Sequence, residues 1–141
     1  MIIPDLNILL YAFNKSAPLY LPAARWWEAQ VNSGEIIGIP WVVLLGFVRL
    51  LTGRQLVQNP FRPEEIVAIC NEWFSFSNVR LLENTAGTYR VMAELLVKYQ
   101  LSGPLVTDAC IVAQVIEEGA QLYSNDSDFL RFSEITVTNP F

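Results

Sequence analysis

Short runs that are apolar rather than alternating recur along this chain, and stretches of helical period separate them. The runs fall at residues 1–4, 36–39, 78–82, 121–124 and 135–137. A strand with one wet face alternates apolar and polar side chains, whereas a strand covered on both faces has no reason to. Between the runs, helices are expected over residues 6–13, 19–32, 40–53 and 85–99, over 105–118, and from Pro63 onward. Ala23, Trp26, Trp27 and Val31 recur at helical spacing, and Gly34 closes that segment. Pro63-Glu64-Glu65 opens a helix with an acidic first turn, which places Ile66, Ile69, Cys70, Trp73 and Phe74 on one face. In the next helix Met92, Leu95, Leu96 and Tyr99 point inward, and Arg90, Glu94 and Lys98 point outward at four-residue steps. Strands joined by helical crossovers predict a three-layer α/β/α sandwich around a central, mostly parallel sheet. No repeat, linker or low-complexity tract interrupts it, so residues 1–141 read as one domain.

Composition narrows the chemistry. The chain is 52% hydrophobic and 16% charged, with mean hydropathy +0.33, so apolar surface beyond the core's needs is expected to meet a partner. The longest uncharged stretch, residues 36–48, contains Pro40 and falls short of the roughly 20 residues of a membrane helix. With an acid at Asp5 and the first basic residue at Lys15, the N-terminus does not read as a secretory signal, and a cytoplasmic protein is expected. There is no histidine, which excludes Ser-His-Asp and Cys-His nucleophile systems and imidazole-based zinc sites. Cys70 and Cys110 lie in apolar, helix-periodic contexts and read as buried reduced thiols. Residues 1–63 hold five basic and three acidic side chains, against four and 11 in residues 64–141. That imbalance argues against general coating of nucleic acid but leaves room for a local basic rim.

Open parallel sheets bind ligands beyond the carboxyl ends of their strands. Asp5 and Asn7 follow the first run, Ser124 ends the fourth, and Asn125, Asp126 and Asp128 come after it. Asp108, beside Thr107, lies in the first turn of the apolar 105–118 helix. Each has an ordinary structural reading: Asp5 as a helix cap, Asp126 and Asp128 as turn and cap residues, Thr107 and Ser124 as cap or strand-end hydroxyls. Asp108 is harder to place that way, because a charge within so apolar a helix is costly when buried and unpaired. Two carboxylates ~4 Å apart repel by about 4 kcal/mol at an effective dielectric of about 20. A divalent ion relieves that, and an oxygen-only donor set suits Mg2+ or Mn2+.

Asp5-Leu6-Asn7-Ile8-Leu9-Leu10-Tyr11-Ala12 resembles the opening motif of the PIN domain. Val106-Thr107-Asp108-Ala109 resembles its third-acid motif, and the segment from Gly119 to Phe129 resembles its closing strand and acidic turn. The motifs occur in the family's order, and the resemblance runs end to end, most closely to the VapC toxins of toxin–antitoxin pairs. It implies a metal-dependent endoribonuclease that uses Mg2+ or Mn2+ to activate water against an RNA phosphodiester. By position it implies Asp5, Asp108 and Asp126 as metal ligands, with Asp128 as a further catalytic acid. Asn7, Thr107 and Ser124 would be supporting polar groups. A cognate antitoxin whose tail covers the acidic site, and a homodimer, are the implied partners. The chain departs from the family at Gly46, where a Glu usually stands three residues before the Arg matched here by Arg49. Restoring Glu there is expected to tighten metal binding. Arg49, Arg54 and Arg62 read as a rim for RNA phosphates or as solvated surface charges. Two other readings compete: a catalytically inactive PIN domain that binds RNA or protein, for which Gly46 speaks, and a Mg2+-dependent phosphatase with Asp5 as nucleophile.

Overall fold

The computed structural model describes residues 1–141. Five strands form one sheet: β1 (Ile2–Pro4), β2 (Ile37–Pro40), β3 (Val79–Leu82), β4 (Gln121–Tyr123) and β5 (Val137–Thr138). Their spatial order is β3-β2-β1-β4-β5, and every neighbouring pair is parallel. Six helices connect them: α1 (Leu6–Phe13), α2 (Tyr20–Ser33), α3 (Trp41–Thr52), α4 (Pro63–Ser75), α5 (Ala86–Tyr99) and α6 (Leu105–Glu118). A short 3-10 turn spans Ser127–Arg131 before β5.

The chain starts in the middle strand, steps outward to β2 and β3, then returns past β1 to β4 and β5. Right-handed crossovers place connections that run in opposite senses on opposite faces of the sheet. The result is the α/β/α sandwich expected from the sequence. The order reverses between β1 and β4, which pair through Ile2–Gln121, Ile3–Leu122 and Pro4–Tyr123. Their carboxyl ends open the crevice where such sheets bind ligands.

The three inner strands are buried because both faces are covered, with Ile3, Ile37, Ile39 and Leu122 showing no exposed surface, whereas Arg80 and Leu81 in the middle of edge strand β3 are exposed. Phe13, Trp27, Phe47 and Trp73, from four different helices, form an aromatic cluster on one side. Phe13 meets Phe47 edge-on at 5.6 Å between centroids, the geometry favoured by ring quadrupoles. Gly34 and Gly119 end α2 and α6 at φ 80° and 58°, left-handed values that suit glycine.

Several expectations need correction. Phe74 does not share the inward face of α4 and is exposed, since Trp73 beside it already fills the core. The last strand is Val137–Thr138 rather than 135–137, because the ladder with β4 pairs Leu122 with Val137 and Tyr123 with Thr138. Pro40 is the last residue of β2 and precedes α3 rather than lying in its first turn. Trp41 and Leu45, one turn apart on α3, are 44% and 52% exposed, so one tryptophan of the four faces solvent. No helix is long and apolar enough to cross a membrane.

Candidate functional site

Asp5 is the first residue beyond β1, and Ser124 is the first beyond β4. The ladder continues through them, with the Asp5 amide donating to the Tyr123 carbonyl at 2.8 Å and the Ser124 amide to Thr138 at 3.0 Å. Asp5 is 7% exposed. Its Oδ1 accepts from the Leu6 amide at 2.7 Å, and its Oδ2 accepts from the Ser124 hydroxyl at 2.9 Å. Ser124 Oγ in turn accepts from the Asp126 amide at 3.0 Å, and Asp126 Oδ1 accepts from the Asp128 amide at 2.8 Å. One hydrogen-bonded chain therefore links the ends of the two central strands. Asp5 caps α1 and Asp126 caps the 3-10 turn, so the ordinary capping roles are also filled.

Asp108 arrives from the other side, in the first turn of α6. Its carboxylate is partly buried and accepts no hydrogen bond from the protein, unlike those of Asp5 and Asp126. Burial, then the charges of Asp126 and Asp128, push its carboxyl up from 3.8 to about 6, with Arg131 pulling the other way. Burial likewise pushes Asp5 up to about 6 against the hydrogen bonds of Ser124 and Leu6, and the charges of Asp108 and Asp126 add to the rise. The charges of Asp108 and Asp126 thus reach Asp5 across the crevice, and that of Asp126 reaches Asp108.

The remaining candidates divide. Asn7 Oδ1 accepts from the Asn125 backbone amide at 3.5 Å, and Asn139 Nδ2 donates to the Asn125 side-chain Oδ1 at 2.9 Å, which pins the turn after β4. Asp128 is exposed and pairs with Arg131 at 3.4 Å. Thr107 is exposed and makes no side-chain hydrogen bond, because the helix turns Asp108 inward and its neighbour out. The arginines read as an RNA rim or as solvated surface charges differ in their partners. Arg62 is taken up at the start of α4, where its Nε donates to Glu65 at 3.0 Å and its amide to the same oxygen at 3.0 Å. Arg49 and Arg54 are exposed, and neither is among the charges that act on Asp5 or Asp108. Arg131, which the sequence reading passed over, is the cation that acts on Asp108. Its spacing three residues after Asp128 in a helical turn was a readable signal. Asn139 was also missed, and no local pattern marks it.

Glu35 pairs with the Met1 amino group at 2.7 Å, at the amino end of the sheet, so it cannot stand in for the family's glutamate. Gly46 is buried, and a Cβ built there would lie 2.7 Å from Leu6 Cδ2. The glycine lets α3 pass close over the residue that follows Asp5. Cys70 and Cys110 are partly buried, and burial raises both thiols, which keeps them protonated.

No three acidic side chains converge closely enough to enclose a metal ion by themselves. The donor set still fits Mg2+, which is held by one or two carboxylates with water completing its octahedron.

Residues 2–135 match the PIN domain family. The chain belongs to the PIN domain family. It is 36% identical over 140 residues to Ribonuclease VapC33 of Mycobacterium tuberculosis, which covers 99% of this chain and 98% of that protein. Among solved structures, this PIN domain is similar to Mycobacterium tuberculosis VapC20, described as a sarcin-ricin loop cleaving toxin. The TM-score is 0.72 at 23% identity, over 96% of this chain and 99% of the other. A toxin–antitoxin complex from Klebsiella pneumoniae contains a chain similar to this one at TM-score 0.64 and 18% identity, over 100% of this chain and 98% of that one. These two structures agree with it in fold.

Proposed function

We propose that this PIN domain is a Mg2+- or Mn2+-dependent endoribonuclease, the toxin of a toxin–antitoxin pair. The observation that carries the reading is Asp108: a partly buried carboxylate without a protein donor, crowded by Asp126, at the same sheet edge as buried Asp5. A group left in that state is costly unless a ligand completes it. The 36% identity to a ribonuclease over nearly the full chain makes RNA the substrate that fits.

One or two of Asp5, Asp108 and Asp126 would bind the ion directly and the rest through its waters; the bound ion would neutralise phosphate charge and activate water. The Ser124 hydroxyl orients Asp5, and its own acceptance from the Asp126 amide keeps the turn after β4 in register with β1. Asn7 and Asn139 hold Asn125 from either side. Hydrolysis joins a water oxygen to phosphorus and releases one ester oxygen of the RNA chain. The exposed apolar side chains Trp41 and Leu45 on α3, with Leu81 on edge strand β3, support a second copy of the chain as one partner. An antitoxin is the other partner proposed, because a structural neighbour is a toxin–antitoxin complex.

The protein freed of any antitoxin should cut RNA in Mg2+ or Mn2+ and not in EDTA. Cleavage that survives EDTA, or a folded sample inactive with every divalent ion, overturns the reading.

Gly46 modifies one expectation. Glu at this position has to displace Leu6 before its carboxylate can reach the start of α1, so Gly46→Glu alone should not tighten metal binding. Gly46→Glu together with Leu6→Ala should tighten it by about tenfold, since hard-cation affinity follows ligand charge. Titration calorimetry with Mn2+ checks this. Equal affinity of the single and double variants would show that Leu6 is no obstacle.

A further inference from the structure

We propose that Arg131 grips a phosphate of the RNA at the acidic edge, with Asp128 serving to hold its guanidinium ready. The inference rests on the ribonuclease reading and adds the residue that would bring a polyanion to an acidic site.

Four aspartates at one sheet edge repel a phosphodiester chain, and a bound ion offsets only part of their charge. A fixed cation beside them is needed, and the positions of the arginines decide which one can serve. Arg131 closes the 3-10 turn whose other end Asp126 caps. Its Nε donates to the Asp128 carbonyl at 3.0 Å, and one terminal nitrogen reaches Asp128 Oδ1 at 3.4 Å. A guanidinium has five N–H donors in a planar fork, so most of this one remains free to take two phosphate oxygens. The side chain is 35% exposed, open to an incoming strand. Its charge already acts on Asp108. Arg62, by contrast, is bound to Glu65 at the far end of the α3–α4 loop, and Lys98 is bound to Glu134. An exposed pair such as Arg131–Asp128 adds little stability, so it can part when a phosphate competes for the fork.

The test compares Arg131→Gln and Arg131→Lys with the unchanged protein, and with Arg90→Gln on the outer face of α5 as a charge-matched control. A 2′-O-methyl RNA oligonucleotide, which resists cleavage, is titrated in EDTA over a range of salt. Cleavage of ordinary RNA in Mg2+ is followed in parallel. Arg131→Gln should weaken oligonucleotide binding by roughly tenfold and lower the slope of log K against log salt by about 0.7, the loss of one single-strand phosphate contact. Arg131→Lys should keep the slope, as it keeps the charge, yet bind more weakly for want of the fork. Arg90→Gln should leave both unchanged, and all variants should melt within about a degree or two of the parent, as an exposed pair implies.

Unaltered binding and slope in Arg131→Gln, with the parent still cutting RNA, overturns the Arg131 assignment and leaves the ribonuclease reading standing. The same holds if binding falls only together with the melting temperature. A parent protein that neither cuts nor binds RNA overturns both.

Discussion

Asp108→Asn should abolish Mg2+-dependent RNA cleavage, a loss on the order of a hundredfold to ten-thousandfold, while leaving the fold in EDTA as stable as before or more so. The two halves of this result come from one cause. Asp108 has no hydrogen-bond donor in the protein, and burial and the charges of Asp126 and Asp128 oppose its ionisation. The amide keeps its shape and removes one repelling charge, so nothing that supports the fold is lost. Substitution of an ordinary buried residue lowers stability and activity together. Thermal melting in EDTA and a cleavage assay in Mg2+, run on the same samples, separate the cases. A variant that melts lower in EDTA yet still cuts RNA would make Asp108 a structural residue, and the proposed site would lose its centre.

Mg2+ should raise the melting temperature of the unchanged protein by about 10 °C at a hundredfold excess over its dissociation constant. Binding to the native state alone adds RT ln(1 + [L]/Kd), about 2.7 kcal/mol at that excess, and each kcal/mol is worth roughly 4 °C in a chain of this size. The gain should depend on pH in a direction set by the aspartates. Asp5 and Asp108 are pushed up from 3.8 to about 6, so between those values the folded protein holds more protons than the unfolded chain. Stability in EDTA from these two groups is therefore full below pH 3.8 and is lost as pH rises through about 6. For Asp5, ionisation at pH 7 costs the fold about 3 kcal/mol. Protons and the ion compete for the same oxygens, so stabilisation by Mg2+ should be small at pH 5 and full by pH 7.5. The difference in melting temperature between the parent and Asp108→Asn, followed across pH in EDTA, isolates the contribution of Asp108. If that difference favours the parent as pH rises, the carboxylate is stabilised as an anion by the protein itself, and no ligand is called for.

Sequence periodicity carried much of the fold. Whether Ile2–Pro4 forms a strand or Leu105–Glu118 a helix depends on neighbours a few residues away, and apolar spacing records those neighbours directly. The absence of histidine restricted the chemistry to oxygen donors, and the positions of Asp5 and Ser124 at strand ends followed from the strands themselves. The helix caps were legible for the same reason: Gly34, Gly119 and the Asp126 turn are local events.

What the sequence could not rank was which charged groups share the crevice. Asp5 and Ser124 are 119 residues apart and touch only because β1 and β4 are neighbours, a matter of strand order rather than of local propensity. Arg62 and Arg131 look alike in composition, but α4 takes the first for its own N-terminus, while the 3-10 turn holds the second beside the acids. Gly46 reads as a missing carboxylate until the packing of α3 over Leu6 shows a close approach that a side chain at that position would disturb. Trp41 looks like the other tryptophans in a greasy chain, yet it lies on the exposed side of α3, because Val43, Phe47 and Leu51 already fill the buried side of that helix. Local spacing sets the elements and the kinds of side chain at their ends; the order in which the strands pair decides which of those side chains meet, because only that order brings distant carboxylates and cations within reach of one another.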